Sequence, residues 1–241
     1  MHPEGLARST AALLLAVAAL IASVITAGEP DDDYLGVVYR VPVSEKVIAL
    51  TFDDGLRPPF TNAILDVLRD QGIIATFFLI GENAVRHPEI ARRIVREGHA
   101  IGNHGLEHTA LDTLTRDGAY AEISKGAQAI RRAAGVQPRV FRPPHGALNG
   151  RITGRTGIAP DLRQTLMMWS TETRDWAIRS PLQVAAGTVR GVEPGSVVLL
   201  YDGGGNREHV VTATRWMVGH LVRQGYRFVT VPQLVDMARR P

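Results

Sequence analysis

The sequence predicts an α/β fold, a distorted (β/α)7 barrel of parallel strands, on three observations. From Val47 onward, short apolar and β-branched runs alternate with helical segments, the pattern of parallel strands joined by helical crossovers. Seven such runs occur, enough to curl a sheet into a closed or nearly closed barrel. The chain has 241 residues, which suits one substantial core better than two enzyme-sized domains with a linker.

The strands fall, in order, at Val47 to Phe52, Ala75 to Leu79, His99 to Gly102, Val140 to Phe141, Leu166 to Trp169, Val197 to Leu200 and Arg227 to Val229. Between them, apolar residues at helical spacing predict helices near Asn62 to Asp70, Glu89 to Glu97, Gly118 to Ala134, Leu182 to Val189, Val210 to Arg223 and Pro232 to Arg239. The stretch from Gly146 to Asp161, rich in Gly, Arg and Pro, reads as irregular. Ahead of the first strand, residues 28–44 read as a connector, and residues 45–241 as the working domain.

The N-terminus has a different character. Residues 10–27 carry no charge and run directly into the polar segment Gly28-Glu29-Pro30-Asp31-Asp32-Asp33. That layout predicts export, with residues 1–27 either a cleaved signal peptide or a retained membrane anchor, and it places the working domain outside the cytoplasm. The net charge is only +3 and no run of lysines or arginines marks a nucleic-acid footprint. The slight basic excess suits an anionic surface such as a cell wall. With no cysteines, thiolate metal sites, disulfides and cysteine nucleophiles are excluded, and any metal must be held by His, Asp or Glu.

In such a barrel the loops following the strands form the reactive face, so polar residues just past strand ends are candidates for chemistry. Asp53 and Asp54 follow the first strand, and adjacent carboxylates repel unless a cation joins them. His104 and His108 follow the third strand, four apart, a spacing that can face two imidazoles the same way but that also occurs on solvated helix faces. Asp54, His104 and His108 together make an open, borderline-hard site for a divalent cation. His2, His87 and His220 lack such a setting and read as surface residues, while His99 opens a strand. Arg142 ends the fourth strand ahead of Pro143-Pro144-His145-Gly146, placed to pair with a carboxylate and hold it ionised. Trp169, Glu172, Asp175 and Trp176 follow the fifth strand, a mix of acids and indoles suited to a carbohydrate groove or to an ordinary core edge. Gly203-Gly204-Gly205 lacks the Lys-Ser/Thr of a phosphate-binding loop.

In order, these segments resemble the polysaccharide deacetylase, or NodB-homology, family over about residues 45 to 235. The resemblance implies the NodB-like deacetylase fold. Thr51-Phe52-Asp53-Asp54-Gly55 matches the first motif, implying Asp53 as general base and Asp54 as metal ligand; His104 and His108 match the second, implying the other two protein ligands. Arg142-Pro143-Pro144-His145-Gly146 matches the third, with Arg142 as the partner of Asp53. Glu172 to Trp176 resembles the fourth and Leu199-Leu200-Tyr201 the fifth. Asp175, Tyr201 and His145 are the further catalytic candidates, and Pro144, Trp176 and Leu199 the substrate-binding ones. Four positions depart from the family pattern: Gly105 replaces Ser or Thr, leaving a supporting hydrogen bond absent, His145 replaces Tyr, Glu172 replaces Asp, and Tyr201 replaces the histidine that acts as general acid. Tyrosine is a weaker acid at neutral pH. His145 and His209 are candidates to take over, with His145 favoured because it already lies in a site motif.

The implied function is a metal-dependent hydrolase removing N-acetyl groups from an N-acetylglucosamine-containing polysaccharide such as peptidoglycan or chitin-like oligomers. Zinc is the expected metal, with cobalt or nickel as alternatives. Two other readings stay open, a pseudoenzyme that binds glycan without turnover and a deacylase for a different acyl group.

Overall fold

The computed structural model describes residues 36–149 and 157–238, so His2 and the apolar segment 10–27 lie outside the described residues. No helix among the described residues is long and apolar enough to cross a membrane. The elements run β1 (Val37–Val38), β2 (Val47–Asp53), α1 (Phe60–Asp70), β3 (Thr76–Leu79), α2 (Gly81–Arg86), α3 (Pro88–Arg96) and β4 (Ala100–Asn103). They continue through α4 (Arg116–Ala134), β5 (Val140–Phe141), α5 (Ile158–Asp161), β6 (Thr165–Met167), β7 (Thr171–Glu172) and α6 (Pro181–Gly191). The last are β8 (Val197–Tyr201), α7 (Glu208–Arg223), β9 (Arg227–Phe228) and α8 (Val231–Ala238).

The strands pair in the order β1-β6-β5-β4-β3-β2-β8-β7, all parallel, with β9 attached to the start of β2. One antiparallel bridge between Arg40 and Ser196, and the bond from Val41 N to Gly195 O, carry the ladder across the seam between β1 and β8. This is the distorted barrel of the sequence reading, but its membership differs. β1 comes from the segment read as a connector and takes a place in the ring, while β9 pairs only with Val47 and Ile48 of β2 and stands outside it. β7 is a further strand, reached by the same stretch of chain that makes β6, so Thr165–Glu172 pairs first with β5 and then with β8.

Side-chain alternation along β2 explains why the site sits where it does. Ile48, Leu50 and Phe52 point outward into the cluster that packs the helices against the sheet. Val47 and Ala49 point into the barrel, where they join Phe78, Val140, Met167 and Val197 in an apolar plug. The same inward face continues upward to Thr51 and Asp53, so the interior turns from apolar to polar at the carboxyl ends of the strands. Each fully buried Leu, Ile or Phe in these clusters contributes about 1.5–3 kcal/mol of transfer free energy, which makes the barrel wall a stiff platform.

Helix boundaries follow local signals. α3 is the helix read at Glu89 to Glu97, while α2 is an additional helix, set off from it because Pro88 disfavours a helical conformation at His87, whose φ is −131° and ψ 56°. α4 starts on Thr115, whose hydroxyl accepts from Gly118 N, and stops at Gly135 in the left-handed region. Part of the stretch expected to be irregular is ordered by a 3₁₀ turn at Pro144–Gly146 and by α5. His99 sits just ahead of β4, buried, with Nδ1 accepting from Ala75 N, and burial pushes its imidazole down to about 4, so it is a neutral structural group.

Candidate metal centre

Because all these strands run the same way, Asp53, His104, Arg142 and Tyr201, each at or one residue past the end of its strand, arrive at one face. Asp53 is opposite Phe78 on one side and Tyr201 on the other in the β-ladder. The cleft above them is lined by Asp53, Asp54, His104, His108, His145 and Tyr201, with Pro143, Gly146, Trp169, Trp176 and Arg207 around its rim.

Arg142 anchors the floor. It is fully buried, and its Nη1 donates to Asp53 Oδ1 at 2.7 Å and to Thr51 Oγ1 at 2.9 Å. Nε and Nη2 donate to the carbonyls of Met167 and Met168, and the guanidinium lies 4.0 Å from the centroid of the Phe78 ring. The planar fork thus ties β2, β5 and β6 together and fixes one oxygen of Asp53, leaving Oδ2 free toward the cleft. Burial pushes the Asp53 carboxyl up and outweighs the downward pull of Arg142. Arg142 is the buried ion-pair partner of Asp53.

Asp54, His104 and His108 converge, with one ligand atom from each lying within 4.8 Å of the others. His104 Nδ1 is 2.7 Å from the carbonyl oxygen of Arg142; a carbonyl only accepts, so Nδ1 carries the proton and Nε2 turns its lone pair to the carboxylates. Asp54 Oδ1 lies 3.4 Å from His104 Nε2 and 3.1 Å from His108 Nε2, yet it is a buried oxygen that accepts no hydrogen bond. Such an orphaned atom between two imidazole nitrogens is what a cation-binding set looks like from the protein side, and the donors suit zinc-like metals. Burial pushes the Asp54 carboxyl up, but the two facing imidazoles pull it further down, well below the usual carboxylate range. Asp54 at φ 69° and His108 at φ 66° both occupy the left-handed region, which costs of order 1–3 kcal/mol each and is tolerated mainly where the surroundings impose it.

The loop carrying the histidines has no side chain at Gly105 to support it, and its neighbouring backbone is held instead from α4. Glu122 of α4, buried, accepts through Oε1 from the backbone N–H of Leu106 at 2.9 Å and of Glu107 at 2.7 Å. A Cβ on Gly105, whose φ is +84°, would fall 2.9 Å from that oxygen, so the glycine and the glutamate go together. Gly126 lets α4 come this close, since a Cβ there would meet the Gly105 carbonyl at 2.5 Å. Gly55 has a comparable reason: its Cβ would strike the Asp202 carboxylate at 2.3 Å.

The chain matches the family described as polysaccharide deacetylase over residues 40–158. Over 199 residues it is 36% identical to a peptidoglycan-N-acetylglucosamine deacetylase of Bacillus cereus, covering 83% of this chain and 92% of the relative. The chain belongs to the polysaccharide deacetylase family. A solved peptidoglycan N-acetylglucosamine deacetylase, in complex with 4-naphthalen-1-yl-N-oxidanyl-benzamide, superposes with a TM-score of 0.80 at 33% identity, covering 86% of this chain and 96% of that one. A CE4 family pseudoenzyme from Bacillus anthracis superposes at 0.76 with 27% identity, covering 83% of this chain and 69% of that one.

Within this polysaccharide deacetylase fold, the other predicted residues divide. Tyr201 lies half-buried on the cleft wall, and burial followed by the Asp53 and Asp54 carboxylates pushes its phenol well above the ordinary value, which further weakens it as an acid. His145, at φ 58°, is exposed and packs edge-on against His108 with ring centroids 4.4 Å apart. His209 is bonded through Nε2 to the Asp175 carbonyl and lines a separate groove with Arg179 and Asn206. Asp175 is fully buried behind Tyr201, accepting from its backbone N–H at 3.0 Å, and does not line the cleft. Trp176 is exposed on the rim, with Nε1 donating to Glu172. Leu199 and Pro144 are corrections: Leu199 lies two residues below Tyr201 on the same face of β8, fully buried, and Pro144 is buried beneath the turn, so neither lines the cleft. Sequence reasoning missed Glu122 and Arg207, which lie outside every motif.

Proposed function

We propose that this chain is a zinc-type hydrolase that removes N-acetyl groups from an N-acetylglucosamine-containing glycan, peptidoglycan or a chitin-like oligomer, outside the cytoplasm. Residues 45–241 form the catalytic domain, with residues 1–27 a signal or anchor. The observation that carries this reading is the convergence of Asp54, His104 and His108 beside the oriented carboxylate of Asp53. The names of the relatives agree with it.

Asp54, His104 and His108 would hold the metal, which supplies Lewis-acid activation of water and of the acetyl carbonyl. Asp53, held through Oδ1 by Arg142, offers Oδ2 as the base that takes the proton from water. The indoles of Trp169 and Trp176 give the cleft flat apolar walls against which a sugar ring can stack. Removing such a base typically costs about 10² to 10⁴ in rate. Acetate release from N-acetylchitooligosaccharide and from peptidoglycan, with Asp53→Asn as the control, tests the proposal; wild type as inactive as Asp53→Asn defeats it.

A second reading, a glycan-binding pseudoenzyme, is favoured by Tyr201 in place of the acid histidine and by the fold likeness to a pseudoenzyme. Activity that appears only in Tyr201→His selects that reading. Activity already present in wild type and lost in His145→Ala selects turnover with a substitute acid.

A further inference from the structure

One cation in the cleft lacks an acceptor. Arg207 lies on the turn between β8 and α7 and is only 5% exposed, yet it lines the cleft beside the candidate metal centre. Its Nε donates to the Gly203 carbonyl, and its guanidinium carbon stands 5.2 Å from the centroid of the Tyr201 ring. Among the described residues neither Nη nitrogen donates a hydrogen bond and no carboxylate forms an ion pair with it. Asp175 feels its field, but the Asp175 oxygens are already committed to Thr173 and to the backbone of Tyr201. Burying a charge without a counter-ion is costly, so a guanidinium held this way is suited to a ligand that brings the negative charge.

Gly204 brings the guanidinium and the metal-centre carboxylate close to one another. A Cβ at this residue, whose φ is +71°, would lie 3.1 Å from Arg207 Nη2 and 3.2 Å from Asp54 Oδ2. A side chain there would crowd both groups, whereas the cleft that Arg207 shares with Asp54, His104 and His108 has room for a small ligand beside them. A planar fork of N–H donors matches a carboxylate in two parallel hydrogen bonds.

We propose that Arg207 is the anion-binding residue of this cleft and that its occupant is a small carboxylate, the acetate released by deacetylation, held between Arg207 and the Asp54, His104 and His108 centre. The inference rests on the deacetylase reading, because that reaction makes the anion. The amide C–N bond breaks, a C–O bond forms from water, and both water protons end on the sugar nitrogen, giving an ammonium and a carboxylate. Arginine stays protonated at all working pH values. It can thus match the charge of the product without serving as the missing proton donor, a division of labour that a single histidine would not show.

The test is titration of the zinc-loaded full chain with ¹³C-acetate, followed by NMR line width, for wild type, Arg207→Gln and Arg207→Lys, with product inhibition by acetate measured alongside. Arg207→Gln is expected to weaken acetate by roughly tenfold or more, and Arg207→Lys by less, because a charge-assisted bidentate contact is lost or reduced. Equal acetate affinity in wild type and Arg207→Gln, or no acetate binding by wild type, overturns the proposal. Should Arg207→Gln not fold, Gly204→Ala keeps the guanidinium but crowds it against the Asp54 side of the cleft; it must weaken acetate as well, and unchanged affinity there is equally fatal. Deacetylation that persists while acetate affinity ignores Arg207 sinks this inference alone. Acetate bound through Arg207 in a protein that turns over no N-acetylated glycan sinks the hydrolase reading instead.

Discussion

The two walls of the cleft are built differently. On the wall formed by β2, β4 and β5, Arg142 spends its donors on Asp53, Thr51 and two carbonyls, and His104 is fixed by the Arg142 carbonyl. On the wall formed by β7 and β8, Tyr201, Trp176 and Arg207 show polar or aromatic groups to the cleft with few internal partners. The first wall is preorganised, and rigid positioning is what a metal centre and a base require. The second is left more open, and two of the four departures, Glu172 and Tyr201, lie on it, while His145 follows β5 and packs against His108.

The contrast breaks most sharply through Arg142. Arg142→Gln leaves Asp53 buried without its counter-ion and is expected to cost about 3–5 kcal/mol of folding stability, whereas Tyr201→Phe, whose hydroxyl makes no hydrogen bond among the described residues, stays within about 1 kcal/mol. Denaturant midpoints of the two variants compare them directly, and similar losses mean the walls do not differ in kind.

A subtler probe is Glu122, which supports the first wall from outside the cleft. Glu122→Ala frees two backbone N–H groups of the histidine loop and is expected to weaken metal affinity by roughly 10- to 100-fold with little change in fold content. Glu122→Gln keeps an accepting oxygen and retains most of the affinity. Chelator competition reads both, and unchanged affinity in Glu122→Ala means that the loop holds itself.

The smallest effect concerns Asp202, buried beneath Gly55 with Oδ2 accepting from Thr61 at 2.6 Å and Oδ1 unpartnered. Burial pushes its carboxyl up to about 7. Between its ordinary value of 3.8 and about 7, the folded protein holds a proton that the unfolded chain has released, so stability falls as pH rises through that window. Asp202→Asn removes this dependence and is expected to raise stability at pH 8 by roughly 1–3 kcal/mol relative to pH 4. Thermal unfolding at the two pH values checks it; an equal effect at both rules out the buried acid.

What the sequence disclosed maps onto these walls. The β2 strand, the Asp53-Asp54 pair and the histidines of the β4 loop were legible because each is a contiguous run whose alternation and spacing carry the structural message. Arg142 was legible as the partner of Asp53, but its balance with burial was not, since burial is a property of the assembled barrel. β1 and β7, two residues each, were missed, although β5 and β9 are as short and were read. Leu199 was misplaced because a motif gives neighbours in sequence, while on β8 it lies two residues deeper in the barrel than Tyr201 and is fully buried. Glu122 and Arg207 left no local signal at all; their roles come from a helix face and a turn that only the fold brings to the cleft.

The central claim is that Asp54, His104 and His108 share one cation beside Asp53. Zinc titration of the metal-free full chain, with Asp54→Ala and His104→Ala alongside, tests it most directly. The account predicts one tightly bound zinc per wild-type chain, lost in both variants together with acetate release. Variants that bind zinc as tightly as wild type, or a wild type that takes up neither zinc, cobalt nor nickel, contradict it.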